Sequence, residues 1–311
     1  MFEINNQKDI TLKQAFEDYQ IFSKAKNLSE RTLLKHVEDF NFFDRFYSCD
    51  NLCSTINTNI INSYKCNLLD SNLSDNTVDT RIRGLRAFLY YCMEMGYIYK
   101  FEIPNIKTTD KIKETYTDEE LKLLLKKPDL KKCSPKEYRT WVIINYVYST
   151  GNRLNTVINI KVKDVNFSES TMFLSTTKTR SQQIIPLCSK LLVILREYVK
   201  FRQGQPDDYL FCTLKGEKFT SKGLQVTIAD YNKSRGVMKT SIHLLRHAFA
   251  RDWILNGGDA FTLQNLLGHS TPAMTKHYVN VYGKDILKTR FNQINPLNKY
   301  SKSDTTVIKL R

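Results

Sequence analysis

Nowhere in the 311 residues is there a run of about 18 apolar positions able to span a bilayer. The opening stretch MFEINNQKDITLKQ has no apolar core of signal-peptide type, so the protein is expected in the cytosol, without a membrane partner. The seven cysteines (Cys49, Cys53, Cys66, Cys92, Cys133, Cys188 and Cys212) include no C-x-x-C pair, are odd in number and sit mostly in apolar runs such as Tyr91-Cys92-Met93. They read as reduced core residues rather than a disulfide framework. No internal repeat or low-complexity tract is present, and 41% hydrophobic with 25% charged residues excludes collagen, coiled-coil and mucin-like chains. Histidine is also scarce, at five residues, which gives weight to where those five fall.

Acidic side chains are in deficit, with 32 Asp and Glu against 47 Lys and Arg and a formal net charge of +15. An excess of this size points to a polyanionic partner, nucleic acid before membrane surface, against the plainer reading of a basic face kept for solubility. The excess is not spread evenly. Residues 1–110 hold 13 basic and 15 acidic side chains, whereas residues 111–311 hold 34 and 17. The length suits two globular units, each able to bury its own core.

The first unit reads as four or five short helices. Thr11 is a plausible N-cap before Leu12, Ala15, Phe16 and Tyr19, spaced to form one apolar face. A second helix starts near Ser29, a third covers 59–69, and a fourth opens at Ser74 or Asn76 and stops at Gly96. Two basic groups, Lys24, Lys26, Arg31 and Lys35 near one helix start and Arg81, Arg83 and Arg86 on another, could clamp a duplex backbone or simply be solvated faces. Pro104 and the charged, Thr-rich residues after it break the periodicity until Thr117-Asp118-Glu119-Glu120 signals a new helix. The expected boundaries are therefore a helical domain over 1–107, a linker over 108–116, a second domain over 117–290 and a polar tail over 291–311. The second domain mixes helices with a strand pair at 172–176 and 183–187, so the fold class is mainly α with a small antiparallel β-sheet.

Four of the five histidines, His243, His247, His269 and His277, fall within 35 residues. His243 and His247 stand at i, i+4 as in zinc hydrolases, but H-L-L-R-H lacks the glutamate base and places Arg246 inside the box, which opposes a cation. Ordinary packing or exposure is a second reading and suits His247 and His277. The third joins His243 and Arg246 on one helix face with His269 after a Leu-Gly turn. These make an anion site, suited to the charge that builds on the non-bridging oxygens of a phosphodiester under attack. A second arginine, Arg153, follows the helix-ending Gly151.

Thr150-Gly151-Asn152-Arg153, His243-Leu244-Leu245-Arg246-His247-Ala248-Phe249-Ala250 and Leu267-Gly268-His269, with Tyr278 nine residues on, resemble in order the motifs of the tyrosine recombinases, the phage integrase and Xer family. Lys178, eight residues before Pro186-Leu187, is similar to the hairpin lysine of Xer-like members. The resemblance spans about 117–288; residues 1–100 resemble the family's core-binding domain in length and helix count, without a diagnostic motif.

The resemblance implies a site-specific DNA recombinase. Tyr278 would attack phosphorus to give a 3′-phosphotyrosine and a free 5′-hydroxyl, and strands would exchange through a Holliday junction. Arg153 and Arg246 would hold the non-bridging oxygens, His269 would add a hydrogen bond, His243 would take the proton of Tyr278, and Lys178 would protonate the leaving oxygen. It implies no cofactor, no metal and no ATP. Implied partners are double-stranded DNA recombination sites and a homotetramer formed on them from a protein monomeric in solution, with the tail beyond Phe291 docked on a neighbouring protomer; a partner recombinase or accessory protein stays open. Arg180 is the alternative to Lys178, and Tyr282 lies one turn beyond Tyr278. The family's acidic residue three after the first arginine is missing, since Arg153 is followed by Leu154, Asn155 and Thr156. A type IB topoisomerase, with a similar constellation, and a non-cleaving DNA-binding protein of the same fold are the alternatives. Integration, excision and dimer resolution all stay open.

Overall fold

Side chains placed just before the apolar runs start the helices. In the computed structural model, which describes residues 9–106, 115–175, 182–269, 271–272 and 275–283, the chain divides into two units, Met1–Lys111 and Ile112–Arg311. The first holds α1 (Leu12–Ala25), α2 (Glu30–Asp44), α3 (Thr58–Leu69) and α4 (Asp75–Glu94). Their N-caps are Thr11, Ser29, Asn57 and Ser74, each accepting a backbone N–H in the first turn, and Thr11 forms a full capping box with Gln14. Helix α4 touches the other three. Its Phe88 stands edge-on to Phe16 and Phe40, which stack on each other at 3.9 Å, and this aromatic nest is the centre of the first core.

The second unit begins with α5 (Asp118–Leu125), capped by Thr117 and Glu120 in a capping box, followed by α6 (Pro135–Thr150) and the single turn α7 (Leu154–Val157). Strands β1 (Val165–Asn166), β2 (Thr171–Leu174) and β3 (Gln183–Pro186) form an antiparallel sheet in that order, with Met172 opposite both Val165 and Ile185. Two strands are legible in the sequence; β1 is not, because two residues carry no periodicity. Then come α8 (Ser189–Arg202), α9 (Ser221–Ser234), α10 (Ile242–Leu255), α11 (Ala260–Leu267) and a helical stretch over 275–283.

Helix α6 is the hub of this unit, touching α5, α8, α9 and α10. Trp141, Val142, Ile143, Ile144, Tyr146 and Val147 are all buried, the pattern of a helix surrounded on every side. A smaller cluster of Ala250, Ile254, Leu263, Leu267 and Tyr278 joins α10, α11 and the 275–283 stretch, which fixes where that stretch lies against α10. The architecture is mainly α with a small antiparallel sheet. No helix among the described residues is long and apolar enough to cross a membrane.

Candidate active site

The first wall of the site is the end of α6. Gly151 caps that helix in the left-handed region, at φ 65° and ψ 14°, and turns the chain so that Arg153 becomes the N-cap residue of α7. The turn is locked from inside: the Thr150 hydroxyl donates to the Tyr146 carbonyl at 2.8 Å, and Asn152 Nδ2 donates to the Tyr146 hydroxyl at 2.6 Å. From there the Arg153 guanidinium donates to the carbonyls of Leu267 and Gly268, each at 3.1 Å. Backbone oxygens at the end of α11 therefore hold the Arg153 guanidinium.

Arg246 comes from α10 and is buried. It donates to the Gly151 carbonyl at 2.7 Å and to the Leu267 carbonyl at 2.9 Å, so the two arginines meet on one oxygen. Gln183, at the start of β3, adds a bond to the Asn265 carbonyl at 2.6 Å. The last carbonyls of a helix have no intrahelical partner and carry partial negative charge; here two cations and an amide satisfy them. The arrangement leaves a positive surplus. Burial, and then the charge of Arg153 beside it, lower Arg246 to about 9, so it stays protonated near neutrality. Arg153 is lowered by burial as well. Two desolvated guanidiniums whose hydrogen-bond partners among the described residues are neutral carbonyl oxygens favour an anion.

His269 directly follows Gly268, the left-handed C-cap of α11. Its Nδ1 lies 2.9 Å from the hydroxyl of the buried Thr275. Burial foremost, with Arg246, Arg153 and His247 adding to it, lowers its pKa to about 4, which makes the ring neutral at pH 7. Tyr278 is 6% exposed, and its ring lies parallel to that of His269 with centroids 6.5 Å apart. Its hydroxyl is hydrogen-bonded to Nδ1 of His247 at 2.7 Å. Burial raises the phenol above its ordinary value, against the pull of Arg246 and Arg153. Tyr282 is raised by burial too, but the charges acting on it are Arg251 and Asp252.

Of the residues expected from the sequence, the structure gathers Arg153, Arg246, His269 and Tyr278 around the end of α11. His243 is exposed at the second position of α10, one turn before Arg246, while the hydroxyl of Tyr278 is bonded to a different imidazole, that of His247. Sequence reasoning set His247 aside as packing and did not single out Thr275; spacing along one helix cannot show which imidazole meets a tyrosine from another element. Lys178, Arg180 and the tail over 291–311 lie outside the described residues. In the first unit Lys24, Lys26 and Arg31 are exposed, with Lys26 over the Phe22 ring at 4.1 Å. Lys35 pairs with Asp39 at 2.6 Å, Arg83 with Asp79 at 2.6 Å, Arg81 lies over the Phe42 ring and Arg86 bonds Asn105. Among the described residues no group of three or more His, Cys, Asp or Glu side chains is arranged to hold a metal ion.

The sequence profile of the phage integrase family matches residues 114–284, which contain the whole constellation. This chain belongs to the phage integrase family. It is a tyrosine-type site-specific recombinase. A curated relative is tyrosine recombinase XerC of Staphylococcus aureus (strain bovine RF122 / ET3-1), 28% identical over 274 residues, covering 86% of this chain and 91% of the relative. Among solved structures, the Tn1549 transposon integrase in complex with transposon right-end DNA matches with a TM-score of 0.71 at 17% identity, over 86% of this chain and 94% of that one. A lambda integrase dimer bound to a COC′ core site matches with a TM-score of 0.69 at 17% identity, over 86% and 95%. These likenesses show that the fold of this family member is that of integrases.

Proposed function

We propose that Tyr278 is the nucleophile that cleaves and rejoins DNA at a recombination site. Its oxygen attacks the scissile phosphorus, the bond to the 5′ oxygen breaks, and a 3′-phosphotyrosine is left with a free 5′-hydroxyl. That hydroxyl, from the partner duplex, attacks the phosphotyrosine in the second half of the reaction and releases Tyr278, so bond energy is conserved and ATP is not consumed. Exchange of one strand pair gives a Holliday junction, and exchange of the second resolves it.

The observation that carries this reading is the meeting of Arg153 and Arg246 on the Leu267 carbonyl, in electrostatic reach of Tyr278. Guanidinium forks bind the non-bridging oxygens and stabilise the charge they gain in the pentacovalent transition state. His269, neutral and with Nδ1 turned to Thr275, carries its proton on Nε2 when Thr275 donates, and so supplies a further donor. Lys178 protonates the leaving 5′ oxygen. We assign residues 1–107 as a core-binding domain, with Lys24, Lys26 and Arg31 as its exposed candidates for phosphate contacts, residues 117–290 as the catalytic domain, and the assembly on DNA as a homotetramer. The chain acts in the cytoplasm on double-stranded DNA.

Covalent trapping tests this. With nicked duplexes carrying candidate sites, in EDTA, an SDS-resistant adduct should form, map to Tyr278 by mass spectrometry and vanish in Tyr278→Phe. An adduct on Tyr282, or relaxation of supercoiled plasmid by the monomer without site preference, would overturn the assignment.

A further inference from the structure

A neutral imidazole carries one proton between two nitrogens, and a site for an anion has use for that proton on one of them only. His269 is such a ring, held unprotonated at pH 7 by its burial beside Arg246 and Arg153. With the proton on Nδ1, the nitrogen left for a ligand presents a lone pair, which repels an anion; with the proton on Nε2, that nitrogen donates to it. The choice is set by what Nδ1 meets, and Nδ1 lies 2.9 Å from the hydroxyl of Thr275. Thr275 is 2% exposed and stands three residues before Tyr278, on one face of the 275–283 stretch, while Lys276 and His277 between them are exposed. The rings of His269 and Tyr278 lie within 6° of parallel. One helical turn thus carries both the phenol and the hydroxyl that meets the imidazole, so seating Tyr278 seats His269 with it. A hydroxyl also suits the place better than a carboxylate, which would orient the ring equally well but add a negative charge where an anion is to bind.

We infer that Thr275 is a positioning residue for strand cleavage: its hydroxyl donates to Nδ1 of His269, fixes the imidazole in the tautomer with its proton on Nε2, and so aims an N–H at a non-bridging oxygen of the scissile phosphate. This rests on the reading of His269 as a phosphate donor beside Tyr278. Thr275 touches neither the phosphate nor the nucleophile's oxygen and exchanges no proton in the reaction; it acts through the imidazole alone. Its contribution is orientation made before the substrate arrives, so that the donor needs no rearrangement as charge builds on the phosphate oxygens.

The test measures single-turnover cleavage of a nicked suicide duplex by the full-length protein carrying Thr275→Val, which keeps the shape and loses the hydroxyl, or Thr275→Ser, which keeps the hydroxyl, each alone and combined with His269→Ala. Thr275→Val should slow cleavage about tenfold or more, a part of the roughly 10²- to 10³-fold that one preorganised oxyanion donor supplies, with DNA affinity within about twofold. Thr275→Ser should recover most of the rate. With His269→Ala already present, Thr275→Val should cost less than about twofold more, because the hydroxyl then has no ring to orient. Nitrogen NMR of histidine-labelled protein should find the His269 ring protonated on Nε2, and should find that single tautomer lost in Thr275→Val. A full Thr275→Val loss on top of His269→Ala would overturn the inference and leave Thr275 as packing for the tyrosine stretch. A His269 ring protonated on Nδ1 in the unsubstituted protein would overturn it as well, since the hydroxyl would then be accepting. Cleavage by His269→Ala at the unsubstituted rate would instead sink the reading of His269 as a donor, so the two failures are told apart.

Discussion

His269 shows how a single side chain in this site converts burial into pH dependence. In the unfolded chain it titrates at its ordinary value of 6.5; in the fold, burial with Arg246 and Arg153 beside it holds it at about 4. Below pH 6.5 the unfolded state binds more protons than the folded one, so this residue costs stability as pH falls toward 4 and costs nothing above 6.5. Denaturant midpoints measured between those pH values should therefore decline more steeply for the unsubstituted protein than for His269→Asn. A bound phosphate cancels part of the arginine field, so a cognate duplex should lessen the decline. Parallel curves for the two proteins would mean that His269 is not held neutral by its surroundings.

At the scale of elements, the site hangs on how helices end and how closely they approach. Gly151 is irreplaceable on two counts: its φ of +65°, and the space around it, where an added Cβ would lie 2.5 Å from Phe249 Cδ1 and 2.6 Å from Leu267 Cδ2. Left-handed backbone alone costs a side chain about 1–2 kcal/mol. Gly151→Ala should destabilise the protein by more than that in chemical unfolding, since Leu267 must also move. Because the Leu267 carbonyl holds both arginines, cleavage should fall further than DNA binding does. In the first unit, helix α4 presents Gly84 to α2 so closely that a Cβ would meet the Asp39 carboxylate at 1.9 Å. That carboxylate is almost fully buried and is bonded to Lys35, which explains why a lysine counted among the basic groups belongs to the packing of α2.

For the whole molecule, charge and assembly decide the outcome. The surplus of basic residues lies in 111–311, so DNA affinity should fall steeply with salt, as expected when phosphate neutralisation releases counterions. The proposed tetramer is a separate matter, and we propose that it depends on the residues beyond Phe291. Deleting them should abolish the slow-migrating synaptic complex in native gels and leave covalent cleavage of a single suicide duplex measurable. Full recombination by the truncated protein would remove that role from the tail.

Much of this was legible in the sequence, for identifiable reasons. Thr11, Ser29, Ser74 and Thr117 mark helix starts because capping is local chemistry between a side chain and the next turn. Arg153, Arg246, His269 and Tyr278 could be named because their spacings within each motif are short and specific. The two-residue strand β1 could not, being too short to carry a period. Nor could the partner of Tyr278, the sharing of the Leu267 carbonyl by two arginines, or the contact of Thr275 with His269. That Arg153, Arg246, His269 and Tyr278 are candidates for one anion site follows from the order of side-chain types along the chain. Which imidazole touches the nucleophile follows only from the packing of α10, α11 and the 275–283 stretch, because those segments are joined by turns whose geometry no local rule fixes.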